Sequence, residues 1–442
     1  MNEARVLIII VTFNKKDYVA ALLRSLARLA YTNHELVVVD NASSDGTVEL
    51  LAAEFPGLKV IRNPENTGGS GGFNTGLAHA YGLAGYDYLW LLDNDVEVAP
   101  DALSRLVEVL EKNPEIAVAG SQMCQLDNPA VTNEIGAYVD LHRGGLVLNR
   151  HLTRRRNNAS GLFDVDYVAA ASLLIRFEVA KKAGLWEDFF IHFDDVDWCL
   201  TIKKMGHRVV GVADSLIWHV SAAEKPITWA MYYDVRNMLF LLEKHATRDD
   251  VLRFARRKIA QALVLELRGL SPLASLVSEA IGDFVLNRKG KKAISFPEIV
   301  STEKLQGSQP RRGVLVCISE HFDPHCFPLD APSLPPVTEL LLPPYLVDTD
   351  FYWERRGGAP LARRGRLGNL LFACLGLFTG HRRFRRAYVD LRSSPYYAAL
   401  LAEELAVSLG DGSWLLIRRD PVTVWKNICR LLARGVRQYW KI

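Results

Sequence analysis

Asp93-Asn94-Asp95 ends an apolar run, Tyr88-Leu89-Trp90-Leu91-Leu92, and precedes a helical pattern. Two carboxylates two residues apart at a strand end suit a nucleotide diphosphate. One can bind ribose or metal-bound water while the other ligates a hard divalent cation bridging the phosphates. Alone, such a pair is more often a loop with solvated acids; its position and company decide. A second acidic centre follows in Trp186-Glu187-Asp188-Phe189-Phe190-Ile191-His192-Phe193-Asp194-Asp195-Val196-Asp197-Trp198. Aromatic neighbours of Asp194 and Asp195 can desolvate one carboxylate and raise its pKa toward the range of a general base. Asp197 instead reads as a cap or orienting group for the next helix, the commoner role of acids at a helix start. Trp218-His219 closes a strand-like run, Val209 to Ile217, and a histidine there can complete a metal site begun by Asp95.

Two further clusters are polar. Asp40-Asn41-Ala42-Ser43-Ser44-Asp45-Gly46 ends another strand, where a carboxylate can accept from a base or ribose, although turn and capping chemistry explains much of the pattern. Asn66-Thr67-Gly68-Gly69-Ser70-Gly71-Gly72-Phe73-Asn74 lets backbone approach a phosphate or sugar at a helix N-terminus. Asn74 stands where the last glycine of G-x-G-x-x-G would be, and G-x-x-x-x-G-K-[ST] does not occur, which speaks against dehydrogenases and NTPases.

The elements that must position these groups alternate over the first 125 residues. Strands are predicted near 5–12, 35–40, 58–62, 86–92 and 116–120, and helices near 16–30, 46–55, 71–84 and 101–112. Continuously apolar strands predict a parallel sheet covered on both faces. Ligands of such sheets bind beyond the carboxyl ends, so Thr12-Phe13-Asn14, Asp40-Asn41 and Asp93-Asn94-Asp95 are expected on one edge.

These residues resemble the inverting family-2 glycosyltransferases, which have a GT-A fold. The match in order and spacing comprises Val11-Thr12-Phe13-Asn14, Val39-Asp40-Asn41-Ala42-Ser43, Leu92-Asp93-Asn94-Asp95, and Asp194-Asp195-Val196-Asp197 followed by Trp218-His219. Within that family, the glycine-rich run and Phe190-Ile191-His192-Phe193-Asp194-Asp195 look most like bacterial galactofuranosyltransferases, with rhamnosyltransferases as near neighbours. The resemblance covers residues 5–240 and, more weakly, the chain to 290. It implies that Thr12, Phe13, Asn14, Asp40, Asn66, Gly69, Asp93 and Asn94 bind a UDP-sugar, Asp40 at the uracil or ribose. It further implies that Asp93, Asp95 and His219 hold Mn2+ or Mg2+, and that Asp195, with Asp194 beside it, is the catalytic base. The expected activity is inverting, metal-dependent transfer of galactofuranose from UDP-galactofuranose to a cell-surface polysaccharide or lipid-linked glycan. Rhamnosyl transfer from dTDP-rhamnose is the alternative donor chemistry. A non-catalytic glycan-binding descendant is the alternative class, against which the intact acids at 93, 95 and 195 speak.

The 442 residues, 49% hydrophobic, suffice for a large core and more than one domain. The expected division is an α/β catalytic domain over 1–240, a helical domain over 241–300 and an irregular and helical basic region over 301–442, with a strand from Val314 to Ile318. The formal net charge is +3, yet residues 355–442 hold 17 Lys/Arg against 5 Asp/Glu, so the C-terminal end calls for an anionic partner or surface. Trp425, Ile428, Leu432, Val436 and Tyr439 recur at helical spacing, with Lys426, Arg430, Arg434, Arg437 and Lys441 mostly elsewhere. With Arg382, Arg383, Arg385 and Arg386, this basic amphipathic pattern suits an anionic membrane surface, where a lipid-linked acceptor would be presented. Nucleic acid is not expected, because the aromatics follow a helix face rather than a stacking platform. The apolar run from Leu367 to Thr379 is shorter than the roughly 18–20 residues a membrane span requires. Six cysteines without paired spacing and the lack of a charged-then-apolar leader point to a reducing compartment and to a cytoplasmic protein, peripheral on the inner face of a bacterial plasma membrane. Cys317, His321, His325 and Cys326 resemble a zinc ligand set only coincidentally. Oligomerisation stays open.

Overall fold

The run Val-Leu-Ile-Ile-Ile-Val-Thr is apolar without alternation and rich in β-branched residues, and it forms a strand, β1 (Val6–Thr12), at the heart of a sheet. The computed structural model describes residues 3–155, 160–220, 229–295 and 297, and beyond them the strands and last helix given below with residues 441–442. After β1 come α1 (Lys16–Leu26), β2 (His34–Asp40), α2 (Thr47–Glu54), β3 (Lys59–Arg62), α3 (Gly68–Tyr81), β4 (Tyr88–Asp93), β5 (Val96–Val98), α4 (Ala102–Lys112) and β6 (Ile116–Gln125). Short strands follow, β7 (Val131–Glu134), β8 (Ala137–Asp140), β9 (Gly145–Leu148), β10 (Thr153–Arg154) and β11 (Leu162–Asp164), then a 3-10 turn at Ala170–Ser172. The remaining elements here are β12 (Leu173–Arg176), α5 (Phe177–Ala183), α6 (Asp194–Lys204), β13 (Arg208–His219), α7 (Ala230–His245), α8 (Arg248–Leu267) and α9 (Ser271–Val285).

The main sheet runs β10-β7-β6-β12-β4-β1-β2-β3, with β13 joined to β6, β11 and β5. β3, β2, β1 and β4 are parallel, as the apolar runs predict, but β12 lies antiparallel between β4 and β6. The sheet is therefore mixed. An unbroken apolar strand reports burial on both faces and carries no sign of direction, and Leu173, Leu174 and Ile175 are buried as fully as the parallel strands beside them.

α1 and α4 cover one face through Leu22, Leu26, Leu103, Leu106 and Leu110, which pack with Ile8, Ile10, Trp90 and Leu92. α1 stops at Leu26, short of the expected end near 30, and the Ala30 amide bonds instead to the Pro100 carbonyl at 2.8 Å. α3 lies against β1 closely enough that a Cβ at Gly72 would stand 2.4 Å from a Val11 methyl. The glycine-rich run is thus the first two turns of α3 rather than a loop before it.

The chain divides into two compact units. The first comprises Met1–Ala222, Arg236–Phe254 and Leu286–Lys292; the second comprises Ala223–Val235, Ala255–Val285 and Ala293–Ile442, so the 241–300 stretch contributes to both. The second unit contains a sheet of β14 (Ile299–Ser301), β15 (Val314–Cys317), β16 (Thr338–Leu341), β17 (Phe384–Asp390), β18 (Ala402–Ser408) and β19 (Ser413–Arg418), in the order β14-β19-β18-β17-β15-β16. Only β15 is anticipated by sequence. Charged residues interrupt β16, β17 and β18, and Arg386, assigned above to a basic surface patch, is in fact buried in β17, its guanidinium 2.6 Å from Glu404 on β18.

The chain closes with α10 (Pro421–Tyr439). Its inward face carries Gly435 and Gln438, Gln438 bonding to the Ser278 carbonyl of α9 at 3.1 Å, whereas Leu432 and Val436 of the expected apolar face are 47% and 57% exposed. Residues 367–379, Arg382, Arg383, His321, His325 and Cys326 lie outside the described residues. Among the described residues no helix is long and apolar enough to cross a membrane.

Candidate active site

Thr12 stands opposite Asp40 across β1 and β2, and Val11 opposite Asp93 across β1 and β4, so the polar clusters that end these strands share one edge. β5 pairs antiparallel with the end of β13, placing His219 opposite Val96. An imidazole from far along the chain thereby reaches the acidic turn. Its Nε2 is 3.1 Å from Asp95 Oδ1, and ligand atoms of Asp93, Asp95 and His219 all lie within 4.8 Å of one another. Two carboxylates and an imidazole, each half-buried, make a donor set that fits Mn2+ or Mg2+ and leaves coordination positions for phosphate oxygens. Asn94 turns away from this set and donates to the buried Thr12 hydroxyl at 2.9 Å, bracing the turn against β1. Glu134 at the end of β7 had no sequence signal. Burial pushes its carboxyl up to about 7, with the His219 charge acting in the opposite direction.

Along the same edge, Asp40 is fully buried. The Ser43 amide donates to both its oxygens, at 3.3 and 3.2 Å, and Arg62 Nε lies 3.4 Å away, so Asp40 shapes the loop beneath the edge and positions Arg62, whose side chain is 58% exposed. Asn14, at φ 50°, accepts from the Ser44 amide at 2.7 Å, while its own amide donates to the Ser43 hydroxyl at 2.9 Å. Between these loops Phe13 is left 39% exposed. Asn41 is the hub of the next layer. Its amide donates to Asn66 Oδ1 and the Gly68 carbonyl, and its Oδ1 accepts from Asn63 and Thr67.

α6 is approached through a strained loop. Phe190, His192 and Phe193 have φ of 69°, 65° and 68°, a region that costs bulky residues on the order of 1–3 kcal/mol each. Two buried side chains of α7 hold it. Asn237 donates to the carbonyls of Phe189, Ile191 and His192 at 3.1, 2.7 and 3.1 Å, and Arg236 donates to those of Phe189 and Gly290 at 2.9 and 2.8 Å. Sequence reasoning missed both, although an Arg-Asn pair inside the apolar stripe from Tyr232 to Leu242 is the kind of signal that could have found them. Gly68 meets the loop from the other side. At φ 74°, a Cβ there would lie 1.9 Å from the Phe190 carbonyl oxygen, whereas at Gly69 the nearest atom would be Asp194 Oδ2 at an ordinary 3.8 Å. Gly68 is thus a position where the geometry demands glycine, while Gly69, expected at the donor, has room for a side-chain carbon.

Asp194 is buried and takes hydrogen bonds from the Ser70 hydroxyl at 2.6 Å and the Asp195 amide at 3.2 Å, so it ties α6 to α3. Burial raises its pKa against those bonds. Asp195 is half-buried, with Oδ2 accepting from the Ala170 amide at 3.1 Å and Oδ1 from the Val196 amide at 2.8 Å. Burial, then the adjoining Asp194 carboxylate, and more weakly Asp93, raise it well above the usual carboxylate range. Asp93 is therefore within electrostatic reach of Asp195. For Asp197, burial would raise the pKa, but hydrogen bonds from His245 and Lys244, each at 2.7 Å, outweigh it and hold the carboxyl low. This group fastens α6 to α7.

Residues 7–184 match the model of the family described as glycosyl transferase family 2. The chain is 24% identical over 288 residues to the galactofuranosyltransferase GlfT2 of Mycobacterium tuberculosis, covering 61% of this chain and 45% of that protein. It is 27% identical over 203 residues to the galactofuranosyltransferase GlfT1 of Mycolicibacterium smegmatis, covering 45% and 65%. The chain spans less than half the length of the first of these relatives. Among solved structures, a mannosyltransferase from Pyrobaculum calidifontis aligns with a TM-score of 0.42 and 19% identity over 64% of this chain and 76% of that one. The matched segment contains β1 to α5 and the strand-end acids, so the α/β sheet and its acidic edge over residues 7–184 are the part of this chain that is similar to glycosyl transferase family 2.

Proposed function

We propose that this chain is an inverting glycosyltransferase that moves galactofuranose from UDP-galactofuranose to a hydroxyl of a cell-surface polysaccharide or lipid-linked glycan. The observation that carries the reading is the pairing of a metal donor set, Asp93, Asp95 and His219, with a separate carboxylate, Asp195, whose environment raises its pKa. The similarity to GlfT1 and GlfT2 supports the donor.

In this mechanism Asp195 takes the proton of the acceptor hydroxyl as that oxygen attacks the anomeric carbon. The carbon–oxygen bond to the diphosphate breaks in the same displacement, its electron pair leaving with UDP, and the anomeric configuration inverts. Asp93, Asp95 and His219 would hold Mn2+ or Mg2+, which supplies charge neutralisation for the departing diphosphate when bound. Phe13 offers an aromatic face to the uracil, Arg62 a cation to the phosphates, and Asn14 and Asp40 the polar frame between them. Asn66 and Gly69, at the start of α3, face the sugar. Asp194, Thr12 and Asn94 keep the two acidic centres in place. The protein works at the inner face of a bacterial plasma membrane, held there peripherally through its basic C-terminal end.

A donor panel tests this. Purified protein with Mn2+ is given UDP-galactofuranose, UDP-galactose and dTDP-rhamnose, and free nucleotide is followed with and without lipid-linked acceptors. Selective turnover of UDP-galactofuranose is expected; selectivity for dTDP-rhamnose would keep the mechanism and overturn the donor, and silence with every donor would overturn the enzymatic reading.

A further inference from the structure

Within the second unit, α9 and α10 enclose a groove of about 500 Å3. One wall is an arginine stripe, Arg430, Arg434 and Arg437, spaced four and three residues apart and so aligned on one side of α10. Ser275 from α9 and Asn427 from α10 also line the groove. The acid among the lining residues, Glu266, is buried and accepts from Ser271 at 2.7 Å and Asn427 at 3.3 Å, so it is drawn into the protein.

At 100° per residue, the stripe and the exposed pair Leu432 and Val436 flank opposite sides of the outward pole of α10, whose inward face is set by Gly435 and Gln438. A cationic groove with hydroxyl and amide donors on one flank and apolar side chains on the other has the two-part chemistry of a bilayer surface. The arginines match a phosphodiester and the apolar pair matches the acyl boundary. The packing of α10 on α9 also explains why the arginines line a concave site instead of a uniformly solvated helix face.

We propose that the groove between α9 and α10 receives the phosphate headgroup of an anionic membrane phospholipid, with Leu432 and Val436 entering the acyl boundary beside it. The inference rests on the peripheral membrane location proposed above and supplies its contact residues.

The test uses the full chain and vesicles of phosphatidylcholine, with or without 30 mol% phosphatidylglycerol as the working composition, read by co-sedimentation. Each basic residue near such a surface contributes about a fivefold gain. Replacing three, in R430Q/R434Q/R437Q, is expected to weaken binding to the anionic vesicles on the order of 100-fold. A charge-matched control in the first unit, R24Q/R105Q/R143Q, should change it by a few-fold at most, and melting curves establish that both variants are folded. Unchanged binding by the α10 variant would overturn the groove while leaving the peripheral location standing, and equal losses in both variants would reduce the effect to net charge. Failure of the wild-type chain to bind anionic vesicles would sink the location itself and this inference with it. Inorganic phosphate, titrated calorimetrically, serves as the soluble probe: arginine-dependent uptake of phosphate without vesicle binding would reassign the groove to a free anion.

Discussion

Asn237 never reaches the acidic centres, yet its loss should slow transfer sharply. Its two amide hydrogens serve three carbonyls, those of Phe189, Ile191 and His192, one necessarily shared, and its Oδ1 accepts from Arg236 at 3.0 Å. Two buried hydrogen bonds net about 0.5–1.5 kcal/mol each, and the carbonyls left unpaired add a desolvation penalty, so Asn237→Ala should cost about 3 kcal/mol of stability. The same bonds restrain a loop with three non-glycine residues at positive φ, each worth roughly 1–3 kcal/mol when released. That loop delivers Asp194 and Asp195, and a shift of about 1 Å in a reacting group costs on the order of 100-fold. The expected result is a kcat about 100-fold lower with Mn2+ affinity nearly unchanged, because β4, β5 and β13 hold the metal donors independently. Asn237→Asp should be less stable than Asn237→Ala, since it turns carboxylate oxygens toward three carbonyls. Urea denaturation, steady-state kinetics and Mn2+ titration together decide, and wild-type kcat in a variant that had lost the 3 kcal/mol would refute the claim that this clamp sets the position of the base.

Asp195→Asn should lower kcat by about 10²–10⁴-fold while UDP binding, measured by calorimetry, persists; near-normal turnover would remove Asp195 as the base. The same variant should be more stable than wild type at neutral pH. A carboxyl whose folded pKa is raised stabilises the fold at low pH, and that contribution fades as pH climbs from the usual carboxylate value through the raised one, a loss the neutral amide escapes; melting scans against pH should show the two proteins converging in acid. Asp197 has the opposite sign: its lowered pKa contributes stability above the ordinary carboxylate range that disappears as pH falls through the folded value, so Asp197→Asn should flatten the acid limb of the same scans. His219→Ala should weaken Mn2+ binding at least tenfold by calorimetry and leave the melting temperature of the metal-free protein almost unmoved. Gly68→Ala should abolish folding or activity, whereas Gly69→Ala should fold with a melting temperature near that of the wild type, an asymmetry read from the 1.9 Å and 3.8 Å neighbours of the added carbon.

The parallel core and the location of both acidic centres were legible because their causes are local. An apolar strand followed by Asp-Asn-Asp places its polar end without knowledge of the rest of the chain, and the Leu22, Leu26, Leu103 and Leu106 stripes announce the helices that cover it. The orientation of β12 was not legible, since Leu-Leu-Ile is equally apolar in either direction. Nor was the sheet of the second unit. Its strands carry Arg386 and Glu404, which read as surface charges until a register places them opposite each other, a relation between segments that no single window contains. Arg236 and Asn237 were missed for the same reason: their importance lies in the backbone carbonyls they meet, and sequence reasoning weighs residue types more readily than backbone acceptors.

The division of labour between the adjoining aspartates follows from burial. Asp194 turns inward, bonded by Ser70, and Asp195 stays half-buried with backbone amides on both oxygens. Two carboxylates this close resist simultaneous ionisation, and the one with better hydrogen-bond donors keeps its charge more easily. The hydroxyl of Ser70 therefore matters to a group it does not touch, because it stabilises charge on Asp194 and so raises the proton affinity of Asp195. A cation held at Asp93 and Asp95 acts in the reverse sense, since it cancels the negative field that Asp93 casts on Asp195. On the proposed reading, the cation at Asp93 and Asp95 would both neutralise charge on a departing diphosphate and offset part of the field that raises the pKa of Asp195.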